Sequence, residues 1–499
     1  MTIPSSSSSC PDYAEYAKVF HGPASSGPLK LPFQRPIEAC RTFTSKVIDQ
    51  VVDFVASKIV NADLARLFTN TFPNTLDTTV SQTACLTNQT NSCHPLTFLI
   101  TGDINAMWLR DSVNQLMPYL NYIQQDYSLK RLFLGTIYMQ AHFISIDPYA
   151  NAFHPPDNIQ QWSTMQTPNP YQHQGLSPGS VPQVYEYKWE IDSLASFFSL
   201  SFQYWQTTQD RSFVDSPIWM NAVEKTIDLL RNEQHGTFDP NTGKVLPVDE
   251  RFSQTTDRPT ETQFQDGRGQ PIKQTGMIRT LFRPSDDACV FPFFVPGNAM
   301  MSVELDHINQ LIHDKNATLA DQASQLSKDI REAIFKYAVV DLPDHGKVFA
   351  YEVDGYGAQL IMDDANVPSL LSLPLLGFVP MDDPIYQNTR RLVLSKGNPY
   401  YYQGPNMAGI GGPHVPLNYA WPMSQIVRIM TSTDDTEIKE SLDLLLRSTD
   451  GTGLIHESIN VFETPNGKES YSRSWFAWAN GLFGQAIIRL SNEKPHLLT

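Results

Sequence analysis

Three segments of the chain gather carboxylates, arginines and aromatic rings more densely than the rest. The first runs from Thr101 to Ser112 and sets Asp103, Arg110 and Asp111 beside Trp108. Carboxylates take paired hydrogen bonds from neighbouring hydroxyls and an indole stacks on the C–H face of a sugar ring, so this is the composition of a carbohydrate-binding surface. The structural alternative is a helix start capped by Asp111 or Ser112, with Arg110 paired to Asp103. The second segment, Arg279 to Cys289, holds the adjacent Asp286 and Asp287 just after Arg283. Burial and a neighbouring like charge both raise a carboxyl pKa, which is what a general acid near neutral pH needs. Its alternative is an acid pair on the first turn of a solvated helix. The third segment is Gly451 to Ser458, followed by Tyr471 to Asn480; there His456 and Glu457 share a glycine-flanked loop with Arg473, Trp475 and Trp478 to follow. Such a carboxylate could act as a general base that orients water. A His-Glu pair with no second histidine at helical spacing does not make a zinc site.

Two smaller stretches add to these. Met362 to Leu370 supplies Asp364 and Asn366, and Gly409 to His414 follows the rings of Tyr400 to Tyr402. Tyr187 to Ser193 has similar residue types, but their helical spacing suits a core with internal ion pairs at least as well. There is no glycine-rich phosphate loop, no dinucleotide fingerprint, no G-x-S-x-G nucleophile elbow and no Asp/Asn alternation of a dedicated calcium loop. No cofactor and no metal are called for.

The elements that must position these residues are helical. Phe43, Val47, Val51, Phe54, Val55, Ile59 and Leu64 fall on one face at three- and four-residue spacing. Comparable patterns recur at 112–120, 129–146, 186–206, 219–232, 298–313, 319–338, 385–395, 423–431, 437–447 and 475–491, about eleven or twelve helices in all. Short β pieces are expected around 348–353 and on either side of Asn466-Gly467, which has hairpin-turn composition. Long aromatic and Gly/Pro-rich loops occupy 151–184, 235–296, 397–422 and 450–473, and loops of that length in a compact domain are usually functional. This alternation of short and long connections predicts an all-α fold, the (α/α)6 barrel, with the long loops around a central cleft. An α-solenoid would need sequence repeats that are not seen. Residues 1–35, rich in Ser, Pro and Gly, read as an extended N-terminal arm, and 36–499 as a single domain.

The 499 residues carry 36 Lys+Arg against 52 Asp+Glu, a net charge of −16, which disfavours nucleic acid and anionic membranes as partners. No apolar run approaches the ~18 residues of a membrane span. Of five cysteines, Cys85 and Cys93 bracket a polar loop fit for a short disulfide, Cys10 and Cys40 could pin the arm, and Cys289 is left as a buried thiol. The cysteines point to a chain that is secreted or held in the secretory pathway; a glycoprotein is expected, although sequons at Asn88 and Asn316 are as many as a chain this long holds by chance and add little.

Taken in order, Thr101–Ser112, Phe282–Cys289, Met362–Leu370 and Gly453–Glu457 with Ser474–Trp478 resemble the motifs of glycoside hydrolase family 125, the exo-acting α-1,6-mannosidases. The resemblance runs from about residue 40 to the C-terminus. It implies the (α/α)6 barrel, removal of non-reducing terminal α-1,6-linked mannose with inversion, and no required metal; an oligosaccharide or N-glycan substrate and a monomeric state are further expectations. Carried over by position, the general acid falls on Asp287 or, second, Asp286, and the general base on Glu457. Asp103, Trp108, Arg110 and Asp111 would hold the terminal mannose, helped by His414, Asp364 and Asn366, with Arg283, His456, Arg473 and Trp475 also in the site. The arm, the Cys85–Cys93 loop and the enlarged 235–275 loop resemble fungal members. An inverting pair of carboxyls should stand ~6.5–9.5 Å apart. Three alternatives stay open: another α-glycoside hydrolase, a polysaccharide lyase on the same scaffold, and a noncatalytic carbohydrate-binding relative.

Overall fold

The computed structural model describes residues 10–87, 93–157, 159, 181–462 and 470–499. Among these are fourteen α-helices: α1 (Tyr13–Tyr16), α2 (Lys46–Ala56), α3 (Ala62–Thr71), α4 (Asn74–Thr78), α5 (Leu109–Leu116), α6 (Tyr127–Ile146), α7 (Ile191–Thr208), α8 (Pro217–Asn232), α9 (Val295–Ile312), α10 (Ala317–Tyr337), α11 (Pro384–Val393), α12 (Pro422–Met430), α13 (Asp435–Arg447) and α14 (Ala477–Glu493). Helices α5, α7 and α9 pack in sequence, α12 packs on α14, and α14 returns to α5, so these five form an inner ring. In chain order the sixth inner place falls to the turns of residues 369–378, whose first half, Ser369 to Leu373, is buried. Outside them run α6, α8, α10, α11 and α13, with α2 and α3 completing the circle beside α14. This is the (α/α)6 barrel.

The two rings begin differently. The outer helices α2, α3, α6, α10, α11 and α13 are started by Ser45, Asn61, Asp126, Asn316, Asp383 and Asp434, whose side chains accept backbone N–H bonds from the first turn. The inner helices start instead at Trp108, Glu190, Phe294, Trp421 and Phe476, none of which makes a side-chain cap. Short strands just before those starts pair with other loops: Met107–Trp108 with Ala152–Phe153, Phe293–Phe294 with Glu352–Val353, and Tyr419–Ala420 with Ser458–Asn460, which in turn pairs with Tyr471–Ser472. The long loops are thus laced together at the end where the inner helices begin. The N-terminal ends of those helices are partly positive and suit a site rich in carboxylates.

Four sequence expectations need correction. The run 43–64 is not one helix, because Asn61 caps a second helix, α3. The expected helix 112–120 is α5, which begins at Leu109 and gives way to a 3-10 turn over Met117–Tyr122, where Pro118 has no N–H to continue the α ladder. Residues 80–99 hold an antiparallel hairpin, Val80–Thr87 with Cys93–Leu99, that packs on α6. Both expected disulfides are present, Cys10–Cys40 and Cys85–Cys93, with Cα atoms 5.5 and 5.2 Å apart, and Cys289 is a buried free thiol. The Asn88 sequon, the Asn466-Gly467 turn and most of the 151–184 loop lie outside the described residues. The arm is not wholly extended: α1 interrupts it, capped by Asp12. No helix among the described residues is long and apolar enough to cross a membrane.

Candidate active site

Asp286 and Asp287 do not start a helix; they sit in a turn eight residues before α9, and Asp286 is held at φ +65°. A left-handed aspartate is unusual, and such backbone gathers at functional sites. Asp286 Oδ1 lies 3.6 Å from Arg110 Nη2 and 3.4 Å from Asn151 Nδ2. Arg110 does not pair with Asp103. Its Nη1 donates to Glu190 Oε2 at 2.6 Å and Asp192 Oδ2 at 3.2 Å, and its Nη2 lies 3.2 Å from Asp111 Oδ2. Asn151 Nδ2 also reaches Glu186 Oε2 at 2.8 Å, and Lys188 pairs with Glu186 at 2.9 Å. Five carboxyls, Asp111, Glu186, Glu190, Asp192 and Asp286, therefore share two cations, Arg110 and Lys188. Burial pushes Asp111, Glu186 and Glu190 up, Glu190 strongly, and Asp192 to about 6, against the pull of Arg110 or Lys188. Asp286 goes the other way: burial opposes its charge, but Lys188 and Arg110 hold it below the usual carboxylate range.

Asp287 is set apart from this network. Its side chain is 2% exposed, Ser285 Oγ donates to its Oδ2 at 2.8 Å, and His414 Nδ1 lies 3.7 Å from its Oδ1. The His414 ring is a third exposed. Burial works against its charge, yet Asp287, Glu457 and Asp286 together raise it to about 9. Asp364 approaches from another side: Asn366 donates to its Oδ1 from both backbone and side chain, and burial with nearby Asp287 raises its pKa. Asp363 accepts the Leu370 and Leu371 N–H groups and, buried, rises to about 8. That is a turn-building role.

Glu457 is the carboxylate of the third segment. Ser472 Oγ donates to its Oε2 at 2.8 Å and Arg473 Nη1 lies 3.5 Å from its Oε1. Arg473, at φ +53°, also donates through Nε to Asp103 Oδ1 at 2.8 Å, and its guanidinium lies 4.5 Å from the Phe476 ring centre. Gly102 adopts φ +131°, and a Cβ there would stand 2.5 Å from the Trp475 carbonyl oxygen, so only glycine lets the first and third segments meet. The indole nitrogens of Trp108 and Trp475 and Oδ2 of Asp364 are buried without a hydrogen-bond partner among the described residues.

Asp103, Trp108, Arg110, Asp111, Asp286, Asp287, Asp364, Asn366, His414, Glu457, Arg473 and Trp475 thus sit at the starts of the inner helices and in the loops beside them. Two other candidates are committed inside the protein. Arg283 donates to Glu352 at 2.5 Å with both side chains buried, while Glu352 Oε2 takes the Val290 and Phe291 N–H groups. His456 stacks on Tyr471, and its Nδ1 and Nε2 are within 2.9 Å of the Arg473 carbonyl and Thr452 Oγ1. Sequence reasoning missed Asn151, Tyr185 and Glu186, and held a core and ion-pair role at least as fitting as a site role for Lys188, Glu190 and Asp192. Tyr185 stands edge-on to Trp108 with ring centres 5.2 Å apart, and is 40% exposed. Among the described residues no group of three or more His, Cys, Asp and Glu is arranged to hold a metal ion.

Comparison with known proteins gives the same picture. The profile of a family described as metal-independent alpha-mannosidase (GH125) matches residues 61–488. The chain is 48% identical over 495 residues to the Meiotically up-regulated gene 157 protein of Schizosaccharomyces pombe, covering 98% of this chain and 94% of that one. It is also similar to a solved metal-independent α-mannosidase of Streptococcus pneumoniae, captured in a non-productive complex with α-1,6-mannobiose. There the TM-score is 0.77 and the identity 33%, covering 91% of this chain and all of the other. The chain belongs to glycoside hydrolase family 125, the metal-independent α-mannosidases.

Proposed function

We propose that this α-mannosidase is exo-acting, removes terminal α-1,6-linked mannose from oligosaccharides or N-glycans, and inverts the anomeric carbon. The observation that carries the reading is His414, whose Nδ1 lies 3.7 Å from Asp287 Oδ1 and whose charge Glu457 and Asp286 also favour, so that the acid and base candidates act on one ring. The α-1,6 preference rests on the S. pneumoniae relative, whose complex holds that disaccharide.

In this reading Asp287 protonates the departing oxygen. His414, kept protonated across neutral pH by the carboxylates around it, stands 3.7 Å from Asp287 and can pass it a proton as the leaving oxygen arrives. Asp286, clamped as an anion by Lys188 and Arg110, is the poorer acid and the better acceptor for sugar hydroxyls. Glu457, steadied by Ser472 and Arg473, takes the proton of a water attacking from the opposite face. No residue then forms a bond to the sugar, and the two carboxyls need ~6.5–9.5 Å between them for that water. Asp103, Trp108, Arg110, Asp111, Asp364 and Asn366 hold the mannose, with Trp475 as a stacking wall. The two disulfides suit an oxidising compartment, so we place the enzyme in the secretory pathway or outside the cell, acting as a monomer.

Proton NMR of the enzyme with α-1,6-mannobiose, followed from the first minutes, tests the mechanism. Early β-mannose is the expected result. Early α-mannose would establish retention and remove Glu457 from the role of base, and an inert disaccharide beside a turned-over α-1,2 or α-1,3 isomer would overturn the linkage.

A further inference from the structure

The family profile begins at residue 61, so it leaves out the arm that precedes α2. That arm nevertheless reaches the candidate base from two sides. Tyr13 of α1 is buried, its ring edge-on to Trp475 with centres 5.0 Å apart, in a small core with Ala17 and Leu454. Its hydroxyl donates to the Gln34 carbonyl at 2.9 Å and accepts from Asn74 at 3.1 Å. Ser474 Oγ donates to the Ala14 carbonyl at 3.0 Å. Farther along the arm, buried Gln34 donates through Nε2 to the Thr452 carbonyl at 2.9 Å. Pro32 and Gly453 offer their carbonyls to one side chain, Asn70, at 3.0 and 2.9 Å, and a Cβ on Gly453 would meet both Asn70 and Pro32.

Thr452, Gly453 and Leu454 lead directly into His456 and Glu457, while Ser474 and Trp475 follow Arg473, the cation beside Glu457. His456 closes the circuit between Thr452 Oγ1 and the Arg473 carbonyl, each at 2.9 Å. The start of the arm is tied to its end by Cys10–Cys40, and Arg35 anchors it to Asp77 at 2.7 Å. Buried, multiply bonded contacts at both ends of one catalytic segment are how a protein fixes a side chain to within the fraction of an ångström that water activation requires.

We propose that residues 10–34, locked by Cys10–Cys40, are a positioning element for Glu457, with Gln34 and Tyr13 as its two points of action. The proposal rests on the reading of Glu457 as the base. Gln34→Ala, which touches neither the cleft nor the acid side, is the direct test, with Cys10→Ser/Cys40→Ser as a second variant should the first fail to fold. For each, kcat and KM are measured on α-1,6-mannobiose and on α-mannosyl fluoride, whose leaving group needs no proton. Calorimetry with a thio-linked mannobiose gives binding stoichiometry and affinity. The expected result is a kcat lower by about tenfold or more on both substrates, with about one site per chain and little change in affinity, because misplacing a reacting group costs turnover more than binding. An unchanged kcat, a loss confined to mannobiose, or a loss matched by falling stoichiometry would each overturn the proposal. Glu457→Gln run alongside separates the two readings. If it keeps wild-type turnover, the base assignment fails and the arm's role with it, whereas an inactive Glu457→Gln beside a fully active Gln34→Ala removes only the arm.

Discussion

The chemistry turns on which carboxyl gives a proton and which takes one, and three substitutions divide those roles. Glu457→Gln keeps the shape and the Ser472 contact but cannot accept water's proton. Turnover should fall by ~10²–10⁴ while mannoside binding persists, read by single-turnover kinetics beside calorimetry. Asp287→Asn should lose mannobiose hydrolysis yet keep α-mannosyl fluoride hydrolysis, since fluoride departs without a proton. Asp286→Asn, on the hydroxyl-binding side, should lose both, and the reverse pattern would make Asp286 the acid. The pH profile follows from His414. Its pKa is raised to about 9 against the cost of burial by Asp287 and the neighbouring carboxylates, so His414 keeps its proton below about pH 9 and loses it as pH rises through that value. The alkaline limb of kcat/KM should lie near 9, and His414→Asn, which removes the titrating ring, should abolish the limb at that pH. At this scale the motif residues were legible in the sequence because types and spacing sit within ten positions. The partners of Arg110 were not: Glu190 and Asp192 lie 80 and 82 positions away, and only the fold makes them a cluster.

Helices were legible where one face repeats over several turns, as in 129–146 or 319–338, and were blurred where a single polar cap such as Asn61 divides a continuous apolar face. Apart from Glu352–Val353, which falls within the expected β piece at 348–353, the strands at the helix-start end were not legible, for a physical reason. Pairs such as Met107–Trp108 with Ala152–Phe153 are two residues long and owe their form to a partner loop rather than to their own propensity. The 80–99 hairpin was hidden by its Thr- and Ser-rich composition, which reads as loop. These thin ladders set the site's shape, so a small backbone change in them should be felt in the chemistry. Gly102 is the sharpest case. Alanine there must leave φ +131° or press its Cβ to 2.5 Å from the Trp475 carbonyl, and either response separates the Asp103 segment from the one bearing Arg473 and Trp475. Gly102→Ala should raise KM and lower kcat together while the far-ultraviolet circular dichroism stays that of a helical barrel. Unchanged kinetics would mean that the two segments do not depend on their contact.

At the scale of the whole molecule, the ring is closed by chain ends that meet. Helix α14, the last, packs on α5 and α12 inside the barrel and on α3 and α4 outside, so the N-terminal helices and the C-terminal one form a single seam. A closed ring with one continuous apolar core has no natural line along which half of it could unfold alone, and heat should melt it in one transition. Gly484 marks the tightest point of the seam: a Cβ there would stand 2.7 Å from the Phe72 Cα. Helix propensity alone favours Gly484→Ala by ~1 kcal/mol in a helix interior. The contact reverses the sign, because the obstacle is backbone that cannot rotate away, and overpacking of this kind costs about 1–3 kcal/mol. The variant should melt at a lower temperature in one unsplit transition, with kcat per folded molecule unchanged because Gly484 lies away from the helix starts that bear the site. A melting curve that divides in two would show that the first and last helices are not one cooperative unit with the ring. A rise in melting temperature would show that the seam yields, and that propensity outweighs packing where the barrel closes.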